Sequence, residues 1–152
     1  YKGEDIGDIY VKSTSNLKSI NCPKKMNSRA IDELPLIFLV AAKAKGTSYF
    51  RNIGELKHKE SDRLKLSSKF LKMIGVTVKS TSNSLKIFGV PNLETRKTYI
   101  IKNFMKDHRI FMLACIASLV LGGTWKIHDK NSVNTSFPEF LKILKKLGAN
   151  LK

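Results

Sequence analysis

Lys59-Glu60-Ser61-Asp62-Arg63 places two cations and two carboxylates within five residues, where a loop gives way to an amphipathic segment. A helix through all five would set Lys59 and Arg63, four apart, on one face, with Glu60 on nearly the same side. Two cations that hold anionic groups, with a carboxylate between them to carry a proton, would suit a transferase acting on phosphorylated acids. The competing reading is a solvated helix start with local ion pairs. Asp32 and Asp107-His108-Arg109 precede two further apolar stretches. Each has an ordinary reading too: Asp32 as a helix N-cap, and His108 with Arg109 as an exposed first turn. Helix N-termini carry free N–H groups and the positive dipole end, so several meeting in one cleft would make an anion site. His58 and His128 are assigned no role, and Trp125 and the Phe residues are expected in the core.

The elements that must carry these residues recur along the chain. Gly46-Thr47 and Gly123-Thr124 each follow an apolar helix and open a strand, and each strand leads to a helix that stops at Gly75 or Gly148. A period this long points to a repeated supersecondary unit. In the first unit the pattern predicts helix 32–45 with Pro35 in its first turn, strand 47–53 and helix 61–74. A hairpin of 76–79 and 84–88 follows, turning at 80–83. The second predicts strand 98–102, helix 110–121, strand 124–128 and helix 137–147, the last opened by a Ser136-Phe-Pro-Glu139 capping box. A final strand is expected from Ala149. Ile9-Tyr-Val11 and Leu17-Lys-Ser-Ile20 read as a strand pair closing an earlier unit. Both ends therefore read as interrupted, and the chain is expected to be part of a longer protein or one half of a split enzyme.

Bulk composition narrows the classes. At 152 residues and 42% hydrophobic content the chain suits one cored domain. The net charge of +16 could serve nucleic acid, an anionic membrane surface or anionic small substrates. Only five of the 28 basic residues are Arg, and the lysines are spread throughout, which disfavours a dedicated phosphate-backbone reader. Cys22 and Cys115 have no metal-ligand partners at useful spacing, so no metal or disulfide framework is expected. With a polar N-terminus and no apolar run of the ~20 residues that span a bilayer, the expected setting is the cytoplasm.

Four elements taken in order carry a specific resemblance. They are Ile31-Asp-Glu-Leu-Pro35 before an Ala-bearing helix, Arg51-Asn-Ile with Lys59-Glu-Ser-Asp-Arg63, Asp107-His-Arg109, and Thr135-Ser-Phe-Pro-Glu-Phe140. Over essentially the whole chain they resemble the C-terminal third of the 5-enolpyruvylshikimate-3-phosphate synthase family, the 3-phosphoshikimate 1-carboxyvinyltransferases. The resemblance implies an α/β fold of repeated βαβαββ units, an inside-out α/β barrel of which this is a partial C-terminal domain. Residues 1–152 would form that single partial domain, with units near 30–90 and 98–152. It further implies that the 5-hydroxyl of shikimate 3-phosphate adds to C2 of phosphoenolpyruvate while C3 is protonated. C3 then loses a proton and phosphate leaves, with no metal or organic cofactor.

Carried over by motif, Asp32 would accept the hydroxyl proton and bind shikimate 3-phosphate, and Lys59 would bind the same substrate and assist proton transfer. Glu60 would exchange the proton at C3, and Arg63 and Arg109 would hold phosphoenolpyruvate. Thr135 stands where some members carry Lys, so that contact is not assigned. The family's N-terminal domain is absent from these residues and would be needed in cis or as a separate chain, so the chain alone is expected to be inactive. The alternatives are a basic nucleic-acid-binding module and a folded, non-catalytic remnant.

Overall fold

In the computed structural model, which describes residues 3 and 7–151, five helices and five strands surround one continuous core. The element of greatest consequence is α2, Leu34–Ala42, preceded in the chain by the short α1, Lys24–Arg29. The sequence of α2, LPLIFLVAA, is apolar on every side, as suits a helix placed between other elements rather than on a surface. Pro35 sits in its first turn, where its missing N–H costs nothing. β1, Thr47–Arg51, follows, and a 3-10 turn, Gly54–His58, leads to α3, Arg63–Met73. The hairpin β2, Val78–Ser80, and β3, Ser84–Phe88, pairs antiparallel, and β3 also pairs antiparallel with β1, giving the order β1-β3-β2.

The second half runs β4, Thr98–Ile101; α4, His108–Leu121; β5, Thr124–Ile127; a 3-10 turn, Lys130–Val133; and α5, Phe140–Lys146. Here β4 and β5 pair in parallel, joined across α4. Side chains alternate along β1, β3 and β4, so Phe50, Leu85, Ile87, Tyr99 and Ile101 face inward. They meet Leu34, Phe38, Leu113, Ala114 and Ala117 from the two apolar helices. Phe38 and Phe50 are both fully buried and meet edge-on with ring centroids 4.8 Å apart. Cys115 belongs to this core, and burial pushes its thiol up to about 12. Gly75 and Gly148, at φ +91° and +93°, end α3 and α5 as the repeat predicts.

Several expectations are corrected. Residues 9–11 form no strand and are exposed, and Leu17–Ile20 does not pair with them. The 17–22 stretch instead lies along the outer edge of β1, through parallel bridges Lys18 to Lys45 and Asn21 to Tyr49. That edge offers unpaired backbone groups: Lys45 N–H donates to Leu17 O and Tyr49 N–H to Ile20 O. The Ser136 capping box does not form. Residues 133–137 close a turn in which Phe137 N–H donates to Val133 O, and α5 begins only at Phe140 with Glu139 before it. No strand forms at Ala149–Leu151, and Lys152 lies outside the described residues. Phe137 is 41% exposed rather than in the core. Among the described residues no helix is long and apolar enough to cross a membrane.

Phe38→Ala should lower unfolding stability by about 3–5 kcal/mol, because it empties a fully buried site between α2 and β1. The shift of the urea midpoint measures this, and a loss below about 1 kcal/mol contradicts the placement of Phe38 at the centre of the core.

Candidate active site

The charged residues converge, but not by sharing one helix. Helix α3 begins at Arg63, and Asp62 is its N-cap, with Oδ1 accepting from Lys65 N–H at 2.9 Å. Lys59 precedes it in extended backbone, φ −88° and ψ −162°. The expected common helical face of Lys59, Glu60 and Arg63 is therefore absent; a third residue from another element joins two of them. Asp32 is not the N-cap of α2, a position held by Glu33 without a side-chain bond. Its Oδ1 lies 2.9 Å from Arg63 Nη1 and 3.3 Å from Lys59 Nζ.

Arg63 is the hub, 1% exposed. Its Nε donates to Asp107 Oδ2 at 2.9 Å, its Nη1 to Asp32, and its Nη2 to Glu60 Oε2. Asp107 is wholly buried and uses both oxygens. Oδ2 also accepts from Ser61 Oγ at 2.7 Å, while Oδ1 caps α4 by accepting from Arg109 N–H at 2.9 Å and from Ile110 N–H. One carboxylate thus ties Arg63 to the helix turn that bears Arg109. Arg109 Nη1 donates to Glu33 Oε1 at 2.6 Å, while its buried Nε has no acceptor. Lys59 also meets Glu55 at 3.4 Å. The starts of α2, α3 and α4 meet here, so three positive helix ends face one locality.

Three cations, Lys59, Arg63 and Arg109, stand among five carboxylates: Asp32, Glu33, Glu55, Glu60 and Asp107. In a chain of net charge +16 this locality is negative on its own side chains. Asp32 feels two opposed influences. Partial burial, the largest single one, raises its pKa. The hydrogen bond and charge of Lys59, with Arg63 and Arg109 behind them, outweigh it and leave the carboxyl below its ordinary value. The arrangement can hold ionised carboxylates near a proton-carrying ammonium, and it leaves the Arg109 Nε without an acceptor of its own.

All five residues singled out in the sequence, Asp32, Lys59, Glu60, Arg63 and Arg109, belong to this one network. Glu60 is half exposed, whereas Arg63, expected at a substrate, is buried and already engaged by three carboxylates. Ser61 Oγ reaches Asp107, 46 positions along the chain. Asp107 as Arg63's partner, and Glu33 and Glu55 as counter-ions, were missed. Glu33 stood inside a quoted motif, and its spacing before Pro35 placed it in the turn beside Asp32. Thr135 is exposed in the turn after the second 3-10 segment.

The fold is that of the enolpyruvyl transferases. It overlays an enolpyruvyl transferase, NikO from Streptomyces tendae, at TM-score 0.61 and 19% identity, over 80% of this chain and 26% of that one. The match is higher to an EPSP synthase from Acinetobacter baumannii, at TM-score 0.76 and 31% identity, over 86% of this chain and 30% of that one. The chain belongs to the EPSP synthase (3-phosphoshikimate 1-carboxyvinyltransferase) family, whose pattern matches residues 2–144. A 3-phosphoshikimate 1-carboxyvinyltransferase of Thermodesulfovibrio yellowstonii is 39% identical over 145 residues, covering 95% of this chain and 33% of that protein. The chain spans about a third of the length of the curated relatives it matches.

Two outcomes follow from the network. Asp107→Asn keeps an oxygen for the cap but removes a charge from the buried guanidinium, and should destabilise by about 3–5 kcal/mol, against about 1 kcal/mol for Asp62→Ala, which loses only an exposed cap. Urea denaturation of both measures the contrast, and equal losses contradict the hub. Because Asp32 is depressed in the folded state, its contribution is present above the ordinary carboxylate value and is lost as pH falls through the lower folded one. Asp32→Asn should therefore flatten the fall of stability below about pH 4, read from urea midpoints across an acid series.

Proposed function

We propose that this chain supplies one side of the active site of a 3-phosphoshikimate 1-carboxyvinyltransferase in the cytoplasm. Its substrates are shikimate 3-phosphate and phosphoenolpyruvate, and its product leaves with release of phosphate. The observation that carries the reading is the meeting of Asp32, Lys59, Glu60 and Arg109 around buried Arg63, at three helix starts. Membership of the EPSP synthase family supports it. In domain terms, residues 1–152 act as one partial domain with units near 30–90 and 98–152.

The 5-hydroxyl oxygen forms a bond to C2 of phosphoenolpyruvate as its proton passes to Asp32 and C3 gains a proton. Glu60, half exposed beside the guanidinium, carries the C3 proton in and takes it out again when the double bond reforms and the phosphate C–O bond breaks. Lys59 turns from Asp32 towards the phosphate of shikimate 3-phosphate. Arg109, with its unpaired Nε, holds phosphoenolpyruvate. Arg63 joins it by exchanging Glu60 for the substrate carboxylate, which frees Glu60 for proton transfer. The proposed chemistry uses no metal or organic cofactor.

Two substrates with several negative charges do not fit a locality whose own carboxylates outnumber its cations. Further cations must come from the other side of the cleft, in a complementing domain joined in cis or supplied as a separate chain. The 152-residue chain alone should therefore release no phosphate from the two substrates. With the complementing two-thirds of a relative added, phosphate release should appear, and Glu60→Gln should lower kcat by about 10²–10⁴-fold. Turnover by the chain alone overturns the need for a partner, and a complemented Glu60→Gln enzyme at full rate overturns the role of Glu60.

A further inference from the structure

Away from this network, a groove of 610 Å³ runs between α3 and the β2–β3 turn. Its α3 wall carries Lys65, Lys69 and Lys72, and Lys57 also lines it. At about 100° per residue, these three lysines point about 180–240° away from Arg63, so the groove and the carboxylate network occupy opposite faces of one helix. The facing wall is the hydroxyl row Ser80, Thr81 and Ser82, with Ser68 reaching Ser80 at 3.3 Å. None of the four lysines takes part in any ion pair among the described residues. The single acid at the rim, Asp62, has its Oδ1 committed to the cap of α3.

We propose that this groove is a binding site for a linear oligophosphate, either free or as the tail of a nucleoside triphosphate. The three ammonium groups are spaced by about 6 Å and about 4.5 Å of helix rise, a row that follows consecutive phosphates rather than one. Ammonium groups bind phosphate as mobile point charges, and hydroxyls opposite them donate to the remaining oxygens. The volume lies within the roughly 300–1,000 Å³ of small-ligand sites. Concavity and the hydroxyl row opposite set these lysines apart from the others that raise the chain's net charge.

Calorimetric titration of the whole chain with sodium tripolyphosphate, and separately with ATP, tests the site. The Lys65→Ala/Lys69→Ala/Lys72→Ala variant should bind tripolyphosphate about 30-fold or more weakly, since it loses three charge-assisted contacts. A control of equal charge loss, Lys130→Ala/Lys145→Ala/Lys146→Ala, should stay within about 3-fold, as distant exposed charges are screened. Thermal melts confirm that both variants fold. Tighter binding of ATP than of tripolyphosphate assigns the nucleotide as the source, and equal affinity assigns the bare phosphate chain. Equal weakening in both variants, or no saturable binding by the parent chain, overturns the proposal.

Discussion

The structure depends on a buried guanidinium. Removing an unpaired cation from water costs several kcal/mol, so Arg63 can lie at 1% exposure only because carboxylates meet it. Those carboxylates come from different parts of the chain: Asp32 from the turn before α2, Glu60 from the loop before α3, and Asp107 from the cap of α4. A planar fork with fixed donor directions accepts them in one arrangement only. Arg63 therefore sets where three helices start relative to one another. The apolar faces of α2 and α4 supply much of the stabilising burial, but hydrophobic contact alone is non-directional and would tolerate their sliding.

The same ion network limits what these residues do alone. Each cation is partly neutralised by a neighbour, and five carboxylates surround three cations. An anionic ligand must displace some of these contacts or bring in charge from elsewhere. The buried, unpartnered Nε of Arg109 shows where the network is incomplete. A desolvated donor without an acceptor costs free energy that an arriving oxygen would recover.

Much of the fold was legible because it is written locally. Apolar runs mark α2 and α4, alternation marks β1 and β3, and glycines in left-handed backbone mark the ends of α3 and α5. The N-terminal strand pair failed because backbone pairing at 17–22 is decided by a free edge on β1, which local pattern does not display. The capping box at Ser136 failed because the preceding 3-10 segment carries the chain through a further turn. The candidate site was legible as a set of residues but not as a geometry. Lys59 and Arg63 do converge, yet through Asp32 rather than through a shared helical face. The bond from Arg63 to Asp107 spans 44 positions and has no local signature. Asp107 caps α4 with one oxygen, as its place before an apolar run suits, and only the second oxygen makes the link to Arg63.

That second oxygen bears on how the proposed chemistry would be timed. Asp32 with a depressed pKa is a weak base, and proton transfer from a hydroxyl favours a stronger one. Lys59 supplies the main opposing influence, through both its hydrogen bond and its charge. If a substrate phosphate draws Lys59 away, Asp32 keeps its burial and loses that compensation, so its basicity rises as the substrate arrives. Arg63 cannot follow Lys59, because Asp107, itself bonded by Ser61, holds it from the buried side. One partner of Asp32 is free to leave and the other is fixed. Binding would thus strengthen the base without releasing the carboxylate from its position.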